Sequence, residues 1–269
     1  MVRIGEKLNS SIPAARKLME ERDAGGLAAL ARRQLDGGAD LLDVNAAVFL
    51  RDEADVLAWA IGAVQAATGA RVMVDSTNPE AVRAALVADR VGGAVVNSVT
   101  ADCARLDAIA PLLQTHGASV VALCMDESGI PPTAEGRLAA ATLAVDGFIA
   151  RGVPRERVWL DPLVEALAAN PGAGAVTLET IRLIRRRWPD ITVVCGLSNV
   201  SFGLPRRKAV NAAFLSAAVA AGLDAAILDP CDEELSLTAA AAWAVAGRDE
   251  YCMEYIRVCR EKDNNQASL

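Results

Sequence analysis

Ile191-Thr192-Val193-Val194-Cys195 is an apolar run bounded by Pro189-Asp190 before it and Gly196 after it, the pattern of a buried strand. It delivers Gly196-Leu197-Ser198-Asn199-Val200-Ser201-Phe202-Gly203-Leu204-Pro205 to a loop. Past Arg206-Arg207-Lys208, a helical pattern from Ala209 to Ala221 returns the chain. Strand, polar loop and helix in that order make one unit, and the unit repeats.

Working outward, Val2-Arg3-Ile4-Gly5 is a short first strand ending in Glu6-Lys7-Leu8-Asn9; a polar arm and a helix from Leu27 to Leu35 follow, with Gly37-Gly38 as the helix stop. Leu41-Leu42-Asp43-Val44-Asn45 is strand two with its helix from Asp52 to Ala67, and Arg71-Val72-Met73-Val74 leads to Asp75-Ser76-Thr77 with Pro79 at a helix start. Ala94-Val95-Val96 leads to Asn97-Ser98, and Ser119 to Cys124 is strand five, followed by a longer loop from Met125 to Thr133. Arg157-Val158-Trp159-Leu160 leads to Asp161-Pro162-Leu163, and Ala225-Ala226-Ile227-Leu228 leads to Asp229. Eight such units in 269 residues predict an α/β fold, a (βα)8 TIM barrel, as a single domain over 1–269. A doubly wound sheet would carry a Gly-rich fingerprint after strand one, and Gly5-Glu6-Lys7-Leu8 has none.

Composition agrees. With 53% hydrophobic and 4% aromatic residues, the core must be mostly Ala, Val, Leu and Ile, which suits helices on a buried parallel sheet. A net charge of −7 argues against a nucleic-acid partner. No apolar run reaches a membrane span, and Arg3, Glu6 and Lys7 interrupt any signal-like start, so the expectation is a cytoplasmic, non-membrane protein. Cys103, Cys124, Cys195, Cys231, Cys252 and Cys259 form no CxxC pair and read as buried free thiols in a reducing compartment.

In such a barrel the site lies at the strands' carboxyl ends. Those ends carry Glu6, Asn9, Asp43, Asn45, Asp75, Asn97, Asp161, Ser198, Asn199 and Asp229, with no histidine and no lysine facing them. Oxygen ligands could hold a metal, but so many amides make no metal the first expectation. Amides among carboxylates suit a flat, nitrogen-rich heterocycle, since one carboxylate can accept two N–H groups side by side. The structural alternative for each is an Asx turn or a helix cap. For Asp43 and Asp229 cap and contact are evenly balanced, and Asp75, before Ser-Thr-Asn-Pro, could also cap. Glu6 could equally form a salt bridge across the mouth. What favours a site is coincidence, because independent caps need not be Asp, Asn, Asp and Asn at strands three, four, six and seven. His116 reads as surface structure at the opposite end, and Arg185-Arg186-Arg187 as a solvated helix end. Arg206, Arg207 and Lys208, on the active face, suit an anionic substrate tail or a solvated charge run.

Gly5-Glu6-Lys7-Leu8-Asn9, Val74-Asp75-Ser76-Thr77, Val96-Asn97-Ser98, Leu160-Asp161-Pro162-Leu163, Gly196 to Ser201 and Gly222-Leu223-Asp224-Ala225-Ala226 together resemble the pterin-binding methyltransferases. In particular they resemble the methyltetrahydrofolate:corrinoid protein methyltransferases, and the folate domain of cobalamin-dependent methionine synthase is similar. Phe202-Gly203-Leu204-Pro205 is more like methionine synthase and corrinoid-linked demethylation systems than the carbon-monoxide-pathway enzyme. The resemblance implies tetrahydrofolate or 5-methyltetrahydrofolate as substrate, and a corrinoid (cobalamin) on a separate protein as partner. It implies that Asp75, Asn97 and Asp161 hydrogen-bond the pterin, that Gly196 and Ser198 line it, and that Asn199 reaches N5. Glu6 and Asp43 then belong to the polar network, and Arg207 meets the folate tail. The implied chemistry is in-line displacement between N5 and cobalt, with Asn199 stabilising N5 as its bond breaks; Asp75 or a water could instead supply a proton. A homodimer is implied as well.

Dihydropteroate synthase shares the expected barrel, but a Ser-Arg/Lys motif belongs where Ser198-Asn199 stands here. A non-catalytic pterin-binding subunit is the alternative from another class. The sole histidine, in Thr115-His116-Gly117, does not fit the Asp-x-His-x-x-Gly loop of a corrinoid module, so the corrinoid is expected on another chain.

Overall fold

The computed structural model describes residues 1–266, so the last three residues of the expected domain lie outside the described ones. Eight parallel strands close a barrel in chain order, β1 pairing with β8. They are β1 (Val2–Asn9), β2 (Leu41–Asn45), β3 (Val72–Asp75), β4 (Val95–Val99), β5 (Ser119–Leu123), β6 (Val158–Asp161), β7 (Thr192–Gly196) and β8 (Ala225–Leu228). The helices are α1 (Pro13–Glu20), α2 (Ala24–Asp36), α3 (Glu53–Thr68), α4 (Pro79–Ala88), α5 (Cys103–His116), α6 (Ala134–Ala150), α7 (Ala173–Arg187), α8 (Arg207–Ala221), α9 (Glu233–Val245) and α10 (Met253–Gln266). The expected TIM barrel is therefore present.

Two differences from the expected elements matter. The polar arm before α2 holds a helix, α1, which starts at Pro13 and buries Ala15 and Met19 four residues apart. Two buried side chains in a charged segment are too few for periodicity to reveal. Strand one runs on to Asn9, with a register irregularity between Gly5 and Leu8, which brings Glu6 and Lys7 into the barrel wall. Gly38, by contrast, stops α2 as expected, at φ +94°.

Side chains alternate along each strand, and that period builds the site. Ile4, Leu41, Met73, Val95, Val121, Val194 and Ala225 form an apolar cluster separate from the larger core between sheet and helices. Asp43, Asp75, Asn97 and Gly196 each lie two residues beyond a member of this cluster, hence on the same inner face, roughly 6–7 Å further along. Asp161 stands in the same relation to Trp159, which packs against the cluster. An apolar plug thus floors a polar mouth.

The opposite end is closed by charge. Asp224 pairs with both Arg185 and Arg248 and accepts from the Val193 amide at 2.8 Å. Gly222-Leu223-Asp224 is thus an end-closing device, far from the mouth. Replacing Asp224 with Ala should lower the unfolding free energy by about 1–3 kcal/mol. Urea titration checks it, the midpoint falling at constant slope.

Candidate functional site

Strand register assembles the first half of the mouth. Asn45, Asp75 and Asn97 are direct partners across β2, β3 and β4, so they stand at one height. Asp43, one step deeper, is buried, accepts from Asn97 Nδ2 at 3.4 Å and shares a hydrogen bond with Asp75. Neither acid is a helix cap. Asp43 sits inside β2, and Asn78 caps α4 by accepting from the Glu80 amide at 3.0 Å. Asn45 donates to the Asp75 carbonyl at 3.3 Å and accepts from Ser10 Oγ and the Ala47 amide, both at 3.0 Å.

Burial dominates the electrostatics here. It pushes the Asp43 carboxyl well above the usual carboxylate range, and the neighbouring Asp75 charge adds to it, while the Asn97 amide works against both. Burial raises Asp75 to about 6, against the pull of its bonds to Asn45 and Asp43. Asp161 is likewise pushed by burial to about 6, with the Leu163 amide (2.7 Å) and the Arg137 charge opposing the rise. The pair Asp43 and Asp75 therefore carries less than two negative charges near neutrality.

The second half of the mouth is ionic. Ser198 Oγ donates to Glu6 at 2.9 Å, joining β7 to β1. Lys7 Nζ lies 3.4 Å from the other Glu6 oxygen and 2.9 Å from Asp229 at the end of β8. Burial lowers the Lys7 pKa, but the Asp229 hydrogen bond and the charges of Glu6 and Asp229 outweigh it, so the net shift is upward. The expectation that no lysine faces the strand ends is thus corrected: the longer β1 carries Lys7 there. Glu6 is both a salt-bridge partner and a mouth residue, and Asp229 makes a turn contact with the Cys231 amide besides. Asn9 is occupied by its own Asx turn to Ser11.

Asn199 differs from all of these. It lies in the short helical turn after β7, is exposed, and its side-chain amide has no partner among the described residues. A β-carbon on Gly196 would stand 3.1 Å from Asn199 Nδ2, so only glycine leaves the amide its present place. Arg207 donates to Ser201 Oγ (3.0 Å) and to the Ser198 carbonyl (2.7 Å), holding the loop that carries Asn199. Beside it, Arg206, Arg207, Lys208, Asp232 and Glu234 line a cleft of about 620 Å³ between the starts of α8 and α9.

One residue of this neighbourhood escaped the sequence reading. Glu53, at the start of α3, is buried and accepts from Ser76 Oγ (2.5 Å) and Asn78 Nδ2 (3.4 Å), bracing the loop after Asp75. It looks like an ordinary first-turn acid, and only the serine two residues before Asn78 hinted at a partner. Of the cysteines, Cys124 and Cys195 are buried as expected, whereas Cys103, Cys231 and Cys252 are exposed, being on helix starts and turns; all six are free. Among the described residues no His, Cys, Asp and Glu group is arranged as metal ligands, and no helix is long and apolar enough to cross a membrane.

The profile of the family described as "Pterin binding enzyme" matches residues 13–229. The chain belongs to the pterin-binding enzyme family. It is 32% identical over 263 residues to a methylcorrinoid:tetrahydrofolate methyltransferase of Eubacterium limosum, covering 97% of each chain. It is also 32% identical over 240 residues to methionine synthase of Mycobacterium tuberculosis, covering 84% of this chain and 20% of that one. The fold is similar to dihydropteroate synthase of Yersinia pestis, with a TM-score of 0.66 at 17% identity over 91% of this chain and 93% of that one. The expected pterin-binding family and its barrel are therefore correct.

A carboxyl raised by burial binds protons more tightly when folded than when unfolded, so it costs stability above its folded pKa and that cost fades toward acid. Asp75→Asn should therefore raise the unfolding free energy at pH 7.5 by roughly 1–3 kcal/mol, and by much less at pH 4. Urea unfolding at both values measures it; an equal effect at both would mean the mouth does not load this carboxyl.

Proposed function

We propose that this protein transfers a methyl group between N5 of tetrahydrofolate and the corrinoid of a separate protein. The observation that carries the reading is the unpartnered Asn199 amide after β7, at the same strand-end mouth as the row of Asn45, Asp75 and Asn97 above an apolar floor. The match to a methylcorrinoid:tetrahydrofolate methyltransferase along nearly its whole length supports it. The donor set suits a reduced pterin. Asp75, Asn97 and Asp161 offer acceptors and a donor to the edge of the ring, and Gly196 and Ser198 leave space for its face. Asp43 and Glu6 hold that set in place through their bonds to Asn97 and Ser198. The folate tail leaves toward Arg207 and the cleft beside it.

The corrinoid, arriving on its own protein, supplies the metal that takes or gives the methyl group, in line with the N5–carbon bond. This chain's task is at N5. An amine anion is a poor leaving group, so the nitrogen must receive a hydrogen bond or a proton as the bond breaks. Asn199 is neutral, unpartnered and able to reorient, so it can bind N5 more strongly as charge develops than before. Asp75, whose carboxyl is raised to about 6, is a second proton source near neutrality. The same residues serve both directions of transfer. Dihydropteroate synthesis is the weaker reading, because the likeness to that enzyme is one of fold and Ser198-Asn199 carries no cation for its anionic leaving group.

The reading also makes the enzyme cytoplasmic and a homodimer, with exposed Val245, Tyr251 and Met253 available for a subunit contact.

Methyl transfer from methyltetrahydrofolate to free cob(I)alamin tests the assignment, with tetrahydrofolate affinity measured alongside. Asn199→Ala should lower the rate about 10²–10³-fold with a much smaller loss of affinity. Equal losses in both would reduce Asn199 to a holder of the ring, and tetrahydrofolate binding without turnover in the parent protein would favour a binding subunit.

A further inference from the structure

The loops after β5 and β6 converge on one side chain outside the site described above. Arg137, in the first turn of α6, is 1% exposed. Its guanidinium donates to the carbonyls of Pro131 (3.1 Å), Pro162 (2.9 Å) and Leu163 (2.6 Å), approaches Thr177 Oγ1 at 3.4 Å, and pairs with Glu165. A guanidinium taken out of water is costly unless its N–H groups find acceptors, and here most acceptors are backbone carbonyls of neighbouring loops.

Leu163 is where these bonds act. Its φ is +66°, a left-handed conformation uncommon outside glycine and one that surrounding contacts must hold. Two donors fix its carbonyl, Arg137 Nη1 and Thr177 Oγ1, the latter at 2.8 Å. On the other side its amide donates to Asp161 Oδ1 at 2.7 Å. We propose that Arg137 and Thr177 are positioning residues for folate: they lock Leu163 in its left-handed turn, and that turn aims the Asp161 carboxylate at the ring. The inference rests on the reading of Asp161 as a pterin contact.

The charged and titratable groups facing Asp161 are few. Arg137 comes from α6, Cys124 follows β5, and Cys195 lies in β7. Burial pushes both thiols up, so they are neutral, and Arg137 is the only charge among them. Burial alone would neutralise Asp161, and the Leu163 amide and Arg137 keep it ionised down to about pH 6. Only the ionised form accepts two N–H groups from a pterin edge. Loosening the turn should therefore make folate affinity fail at a higher pH.

The test is anaerobic titration of tetrahydrofolate from pH 5 to 8.5 against the parent protein, Thr177→Val, Arg137→Lys and Asp161→Asn, each checked for folding by urea titration. The two positioning variants should bind roughly three- to tenfold more weakly at pH 7.5, with the acid midpoint moved up by about half to one pH unit. If Arg137→Lys does not fold, Thr177→Val, which keeps the shape of the side chain, decides alone. Unchanged affinity and midpoint in Thr177→Val, with binding lost in Asp161→Asn, would overturn the positioning role and leave the site intact. Undiminished binding by Asp161→Asn would instead remove Asp161 from the site.

Discussion

The hydrogen bond shared by Asp43 and Asp75, two acids held above an apolar plug, sets the terms for the whole mouth. Burial holds both above the usual carboxylate range, and a charge on Asp75 makes ionisation of Asp43 harder still. A third carboxylate in the same row would compound the repulsion, and its register neighbours are accordingly amides, Asn45 and Asn97. Amides complete the hydrogen-bonding edge without adding charge. The interleaving noticed in the sequence thus has an electrostatic cause as well as a chemical use.

The other side of the rim solves the same problem by pairing. Glu6, Lys7 and Asp229 form a chain of opposite charges across β1 and β8, and Ser198 ties β7 to it. Next to Ser198 stands Asn199, in the loop that Arg207 clamps and with its own amide uncommitted. Under the proposed reaction, the acceptor wall would fix the ring and the uncommitted amide would follow the change in charge at its nitrogen.

Much of this was legible because strands alternate. Once Val72 to Val74 is a buried strand, Asp75 must lie at its end, and the same holds for Asn97, Asp161 and Gly196. Asp43 stood balanced between cap and contact because a turn follows two residues on, although its place inside strand two, which ends at Asn45, already puts it on the inner face. Lys7 was missed for a related reason: ending strand one at Gly5 hides the irregular register that turns the lysine toward Asp229. Glu53 and Arg137 lay beyond sequence reasoning altogether. Both sit in first turns of helices, where charged residues are ordinarily solvated, and nothing local reveals that their heads are buried against another loop.

The pairing of Val2 with Ala225 has a consequence for how the molecule comes into being. The wall is a ring joined where the chain's beginning meets its last strand, and Glu6 finds Ser198 across 192 residues. Contacts so distant along the chain form late, because the loop they close is long. During synthesis, therefore, β8 must leave the ribosome before the wall can close, and the polar mouth is complete only once it has.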